Sequence, residues 1–91
     1  MAAEKLYYAT GRRKTSSARV YLKPGTGKME INGHKPEDVL KRMQSKMVVQ
    51  QPFEATAMVG KFDCDVAVEG GGESGQTGAI RLGIARALTA F

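Results

Sequence analysis

Tryptophan is absent from this sequence, and cysteine and histidine occur once each. A single Cys64 cannot close an intramolecular disulfide. It falls on the apolar side of an alternating segment with no base beside it, so it is not read as a nucleophile. His34 stands alone in a turn, so no catalytic or metal-binding cluster is expected, and no cofactor. No apolar run approaches the roughly 20 residues that a spanning helix requires. The start, Met1-Ala-Ala-Glu-Lys5, lacks the apolar segment of a secretory signal, and the chain is read as soluble and cytoplasmic. No repeat, linker or low-complexity tract interrupts it. Its 91 residues therefore read as one domain, 1–91, with three Tyr and three Phe to build a modest core.

Acidic residues are missing from one stretch in particular. From Thr10 to Lys28 the charged residues are Arg12, Arg13, Lys14, Arg19, Lys23 and Lys28, all positive. Met29 to Glu69 instead holds seven acids against five bases, so the net charge of +5 is concentrated rather than spread. A concentrated positive segment points to a polyanionic partner, because each phosphate neutralised releases condensed counterions. Arg12 and Arg13 add planar guanidinium groups that can grip phosphate bidentately or stack on an unpaired base. The alternative for this arm is a solvated turn kept charged to blunt a sheet edge.

Hydrophobic periodicity places the arm within a fold. Leu6 to Thr10 reads as a strand entering it, and Ala18, Val20 and Leu22 alternate with Arg19, Tyr21 and Lys23 in a strand leaving it. Pro24-Gly-Thr-Gly27 is a turn, Lys28 to Asn32 continues the alternation, and Asn32-Gly33 turns again. Three strands in succession suggest an antiparallel meander. Pro36 suits a first helical position, and Val39, Leu40, Met43 and Met47 repeat at helical spacing. Gln50-Gln51-Pro52 is expected to end that helix, with a short second one from Pro52 through Met58. Phe62, Cys64, Val66 and Val68 alternate with Asp63, Asp65 and Glu69, the best strand signal in the chain. Ile80, Ile84, Leu88 and Phe91 then form one apolar stripe on a final helix.

Between that strand and that helix lies Gly70-Gly-Gly-Glu-Ser-Gly75. The order strand, glycine-rich loop, helix aims free backbone N–H groups and a positive dipole end at any nearby anion. Ser74 is the expected N-cap, with the helix running from Gln76, while Gly71 and Gly72 would allow an RNA backbone to approach closely. A flexible turn with a capped helix is the alternative. Gly70 to Thr77 also approximates a phosphate-binding P-loop, but Gln76 stands where the lysine is needed, and a nucleotide hydrolase needs a longer fold. On a helical wheel Arg81 and Arg86 fall on the outer side with Gly75, Gly78 and Ala79, a small-residue face suited to a sugar-phosphate surface. Leu82 lies there too, which leaves open a protein-docking role. Asp63, Asp65 and Glu69 are expected to pair across strands with Arg19, Lys23 or Lys28 rather than bind metal.

Two blocks together carry a resemblance. Tyr8-Ala-Thr-Gly-Arg-Arg-Lys-Thr-Ser-Ser-Ala-Arg-Val20 and Gly70-Gly-Gly-Glu-Ser-Gly-Gln-Thr-Gly-Ala-Ile-Arg-Leu-Gly-Ile-Ala-Arg-Ala-Leu88 closely resemble the bacterial ninth-protein family of the small ribosomal subunit. Asn32-Gly33 and Gln51-Pro52 are similar to that family as well, while His34 to Lys46 matches more loosely. The resemblance implies a two-layer α+β domain with a mainly antiparallel four-stranded sheet and helices packed on one face. It implies a non-enzymatic constituent of the subunit head, bound to the 3′ major domain of the rRNA beside neighbouring ribosomal proteins, supporting assembly and translation. By position it carries RNA contact onto Arg12, Arg13, Lys14, Arg19, Gln76, Arg81 and Arg86; Gly71, Gly72 and Ser74 join that set from the loop reading. Family members continue into a basic tail that reaches transfer RNA. With the sequence ending at Phe91, no such contact is expected of this chain.

Overall fold

Alternation of apolar and polar residues decides where each strand faces, and in the computed structural model, which describes residues 7–89, it organises a single mixed sheet. The strands are β1 (Tyr7–Arg13), β2 (Ser16–Pro24), β3 (Met29–Ile31) and β4 (Phe62–Glu69), in the order β1-β2-β4-β3. β1–β2 and β2–β4 are antiparallel, whereas β3 runs parallel to β4. The sheet is thus mainly antiparallel and the architecture α+β, as expected. The meander is not: β3 leaves β2 and takes the far edge. An eight-residue strand with every second side chain buried gains most at the centre, where β4 pairs along its whole length with β2. Three residues of β3 suffice only for an edge, and the β3-to-β4 crossover carries two helices.

Those helices are α1 (Pro36–Val39) and α2 (Met43–Ala55), and α3 (Glu73–Thr89) follows β4. The single helix expected from Pro36 to Gln51 is broken at Leu40, whose φ of −97° and ψ of 97° are extended. The break turns Leu40 fully into the core and leaves Met43 and Met47 in solvent, 76% and 62% exposed. The buried face of α2 is instead Ser45, Val49, Pro52 and Phe53. Pro52 does not end the helix; it lies inside it. Its missing N–H forfeits one bond near the C-terminus, and burial of the ring with Phe53 offsets that loss.

The core lies between one sheet face and the helices. Ala18, Val20, Leu22, Phe62, Cys64, Val66 and Val68 meet Val49, Phe53, Ile80, Ile84 and Leu88. The expected α3 stripe is therefore buried through Leu88; Phe91, like Leu6, lies outside the described residues. Asn32-Gly33 forms the expected turn, with φ of 53° and 79°, both in the left-handed region. The Asn32 side chain continues the ladder past β3: its amide donates to the Val68 carbonyl and its oxygen accepts the Val68 N–H, both at 2.9 Å. Asp63 does not serve mainly as a charge partner. Its Oδ1 accepts backbone N–H groups of Thr26, Gly27 and Lys28 at 3.0–3.2 Å, fixing the turn after β2. Those bonds, Lys28's foremost, hold its carboxyl below the ordinary value.

Candidate nucleic-acid interface

The basic arm is the end of the β1–β2 hairpin. Arg13 pairs with Ser16, so Lys14 and Thr15 form a two-residue turn, with Lys14 at φ 57°. Because side chains alternate along a strand, Arg12 and Arg13 point to opposite faces. Gly11 and Arg13 face α3, while Tyr8, Arg12, Arg19, Tyr21 and Lys23 share the open face. The arm's charge is therefore divided between the two sides of the sheet, with Lys14 at the tip.

The glycine-rich loop, 54 residues along the chain, closes on this same turn. The Gly70 carbonyl accepts the Ser16 hydroxyl at 3.0 Å and the Gln76 side-chain amide at 3.1 Å. A Cβ at Gly70 would lie 2.2 Å from the Thr15 carbonyl oxygen, and one at Gly71 would lie 2.2 Å from the Ser16 hydroxyl. Both glycines also have positive φ, 82° and 56°. Gly71 is thus required by the protein's own packing, and Gln76 positions the loop through its bond to Gly70. Gly72 alone in this loop has open space around it. Hairpin turn and loop form one interlocked unit, which no sequence periodicity displays.

The small-residue face of α3 likewise turns inward. Gly75 and Ala79 are buried, and a Cβ at Gly11 would come within 2.1 Å of the Ala79 carbonyl oxygen and 2.4 Å of the Gly83 nitrogen. Backbone meets backbone there, so the glycines bring α3 onto β1 rather than onto an RNA surface. Gly78 carries the aliphatic part of Arg13, whose Cγ would lie 2.8 Å from an added Cβ. Arg86 donates to the Thr10 carbonyl at 3.0 Å on the same strand, a structural duty.

The N-cap also differs. Helix α3 begins at Glu73, with the Gln76 N–H bonded to the Gly72 carbonyl, so Ser74 lies inside the first turn. Glu73 reaches across to the start of α2, which has no side-chain cap of its own. Its carboxylate accepts the N–H groups of Lys41 and Arg42 at 3.1 and 3.0 Å and the Ser45 hydroxyl at 2.7 Å. These bonds, Ser45's first, hold the Glu73 carboxyl below its ordinary value. They also explain the break after Leu40, since Lys41 and Arg42 commit their N–H groups to Glu73.

That junction builds a groove of about 420 Å³ between the arm, α2 and α3, lined by Arg13, Arg42, Gln44, Ser45, Ser74 and Arg81 among others. Arg81 is oriented by its Nε–H donating to Gln51 Oε1 at 3.1 Å. Three arginines, from β1, from the residue that caps α2 and from α3, therefore line one concavity beside the first turn of α3, an arrangement suited to phosphate oxygens. Arg42 is not among the residues expected from sequence; its loosely patterned segment gives no sign that Glu73 will bring it beside Arg13. Arg12 and Arg19 are not in this groove. Leu82 is half-buried on its wall rather than freely exposed.

Gln76, which stands where a P-loop has lysine, is bonded to the Gly70 carbonyl of its own loop. The Thr77 hydroxyl is buried and donates to the Glu73 carbonyl at 2.7 Å, a bond within the helix. Burial, with Asp65 nearby, pushes the Cys64 thiol up to about 12, which keeps it neutral and unreactive. Among the described residues no helix is long and apolar enough to cross a membrane, and no acidic or histidine cluster could hold a metal ion. Residues 11–91, which include both the arm and the glycine-rich loop, match the family described as ribosomal protein S9/S16, and the chain belongs to that family of non-enzymatic, rRNA-binding structural proteins of the ribosome.

Proposed function

We propose that this single domain acts as the bacterial ninth protein of the small subunit does, in the cytoplasm, holding rRNA of the subunit head within the 3′ major domain. The observation that carries this reading is the convergence of Arg13, Arg42 and Arg81 in one groove beside the interlocked arm and loop. Phosphates seated there would meet a preformed cluster, because Gly78 supports Arg13, Gln51 orients Arg81 and Glu73 fixes the backbone of Arg42. Arg12, Lys14 and Arg19 extend the positive surface around the tip and onto the other sheet face, and Gly72, Ser74 and Arg86 border the loop and helix. Recognition of this kind reads backbone and shape more than sequence. Its consequence is to fix the local RNA fold during assembly, next to other head proteins.

The test is binding of a head-domain rRNA fragment at several salt concentrations, comparing the wild type with a variant carrying Arg13→Ser, Arg42→Ser and Arg81→Ser. Each phosphate that is no longer neutralised lowers the salt slope by roughly 0.7–0.9, so the triple variant should bind with a slope shallower by about two. An unchanged slope in a folded variant rules the groove out as the phosphate site.

A further inference from the structure

The open face of the sheet carries features that phosphate binding does not use. Tyr8 and Tyr21 are cross-strand partners whose rings pack at 4.8 Å with a 40° tilt, and Tyr8 remains 48% exposed. Tyr7, one residue earlier, faces the other way and packs edge-on against Phe62 in the interior. The core therefore does not require the outer pair. Tyr21 forms one wall of a shallow depression of about 570 Å³ whose other sides are Lys23, Lys28, Glu30, Asp63 and Asp65. Asp65 stands directly across from Tyr21 on β4, and Glu30 directly beside Asp65 on β3. Asp63 is already committed to the turn at Thr26 to Lys28, which leaves Asp65 and Glu30 as the outward-facing carboxylates.

From this geometry we infer that the depression binds an unpaired guanine of RNA, stacked on Tyr21 with Tyr8 backing it. An aromatic wall suits any base, since every base has a π face. The carboxylate selects among them. Guanine alone offers two adjacent donors, N1–H and N2–H, that one carboxylate can accept together, whereas uracil and adenine present an acceptor beside their donor. Lys23 and Lys28 stand at the rim, where they can meet the flanking phosphates and offset the two acids. The site shares with the preceding proposal only the premise that RNA is the partner, and it lies on the opposite face of the sheet from the arginine groove.

The absence of tryptophan makes tyrosine emission the natural readout. The full chain is titrated with three heptanucleotides, uridine throughout or with a central guanosine or adenosine. The guanosine oligomer should quench tyrosine and bind roughly tenfold more tightly than either other, the discrimination one bidentate base pairing supplies. Asp65→Asn should bring guanosine and adenosine to parity, and Tyr21→Leu should weaken binding of the guanosine oligomer roughly tenfold and reduce the quenching, by removing the stack. Both variants keep the sheet testable, since Asp65 is exposed and circular dichroism checks folding. The variant carrying Arg13→Ser, Arg42→Ser and Arg81→Ser should retain the guanosine preference while binding head-domain rRNA poorly, so the two proposals fail separately. Equal binding of the three oligomers by the wild type, or a preference that survives in folded Asp65→Asn, overturns the inference.

Discussion

Replacing Gly11 by alanine tests the tightest approach in the molecule. The added methyl would lie 2.1 Å from the Ala79 carbonyl oxygen and 2.4 Å from the Gly83 nitrogen, both backbone atoms of a helix that cannot yield locally. Ordinary contact begins at 3.4 Å, so α3 and β1 must part by about 1.3 Å along this seam. Overpacking a rigid interior costs about 1–3 kcal/mol, and the backbone obstacle on both sides puts this case at the upper end. The reduced entropy of the unfolded chain returns about 0.4–1 kcal/mol, which leaves a net loss near 2 kcal/mol. For a domain of this size that loss lowers Tm by roughly 8–16 °C. Thermal unfolding followed by circular dichroism measures it, with Gly72→Ala as the control, since Gly72 has nothing within 4 Å of its would-be Cβ and should move little. A Gly11→Ala protein melting within about 2 °C of wild type would refute the close seating of α3 on the hairpin.

Asn32→Ala removes both bonds to Val68 and places alanine at φ 53°, so the urea midpoint should fall by an amount equivalent to about 2–3 kcal/mol. The lowered values of Glu73 and Asp63 mean that their stabilising contribution is present above the ordinary carboxylate range and is lost as pH falls through the folded values. Stability should therefore decline progressively below about pH 4, and Glu73→Gln with Asp63→Asn should flatten that decline in melts recorded from about pH 7 down to about pH 2. Cys64, with its thiol raised to about 12, should resist alkylation in the folded protein at about pH 8 and react in denaturant, as mass spectrometry would read.

Much of the fold is legible in local patterns, and the site is legible only in part. The Phe62–Glu69 strand, the Asn32-Gly33 turn, the hairpin around the arm and the Ile80-Ile84-Leu88 stripe rest on periods of two or about 3.6 residues, which neighbouring residues alone express. The same patterns mislead over residues 36–55. There a carboxylate from Glu73, about 30 positions away, takes the N–H groups that would have continued the helix. Gly71 and Gly75 suggest room for RNA, and Ser16 of the protein itself occupies that room. Composition shows that space is needed and not what fills it.

By itself the sequence determined that the chain is basic in one stretch, built from alternating strands and an amphipathic final helix, and assembled around two blocks that mark its family. Tertiary structure decided that β4 rather than β3 lies beside β2. It also seated α3 on the sheet face that carries Arg13, leaving Arg12 on the open one, and brought Arg42 to stand with Arg13 and Arg81. The reason is the range of the forces involved. Periodicity and turn chemistry act over a few residues, whereas strand order, helix seating and the meeting of three arginines depend on which distant surfaces bury the most apolar area and satisfy the most backbone groups together.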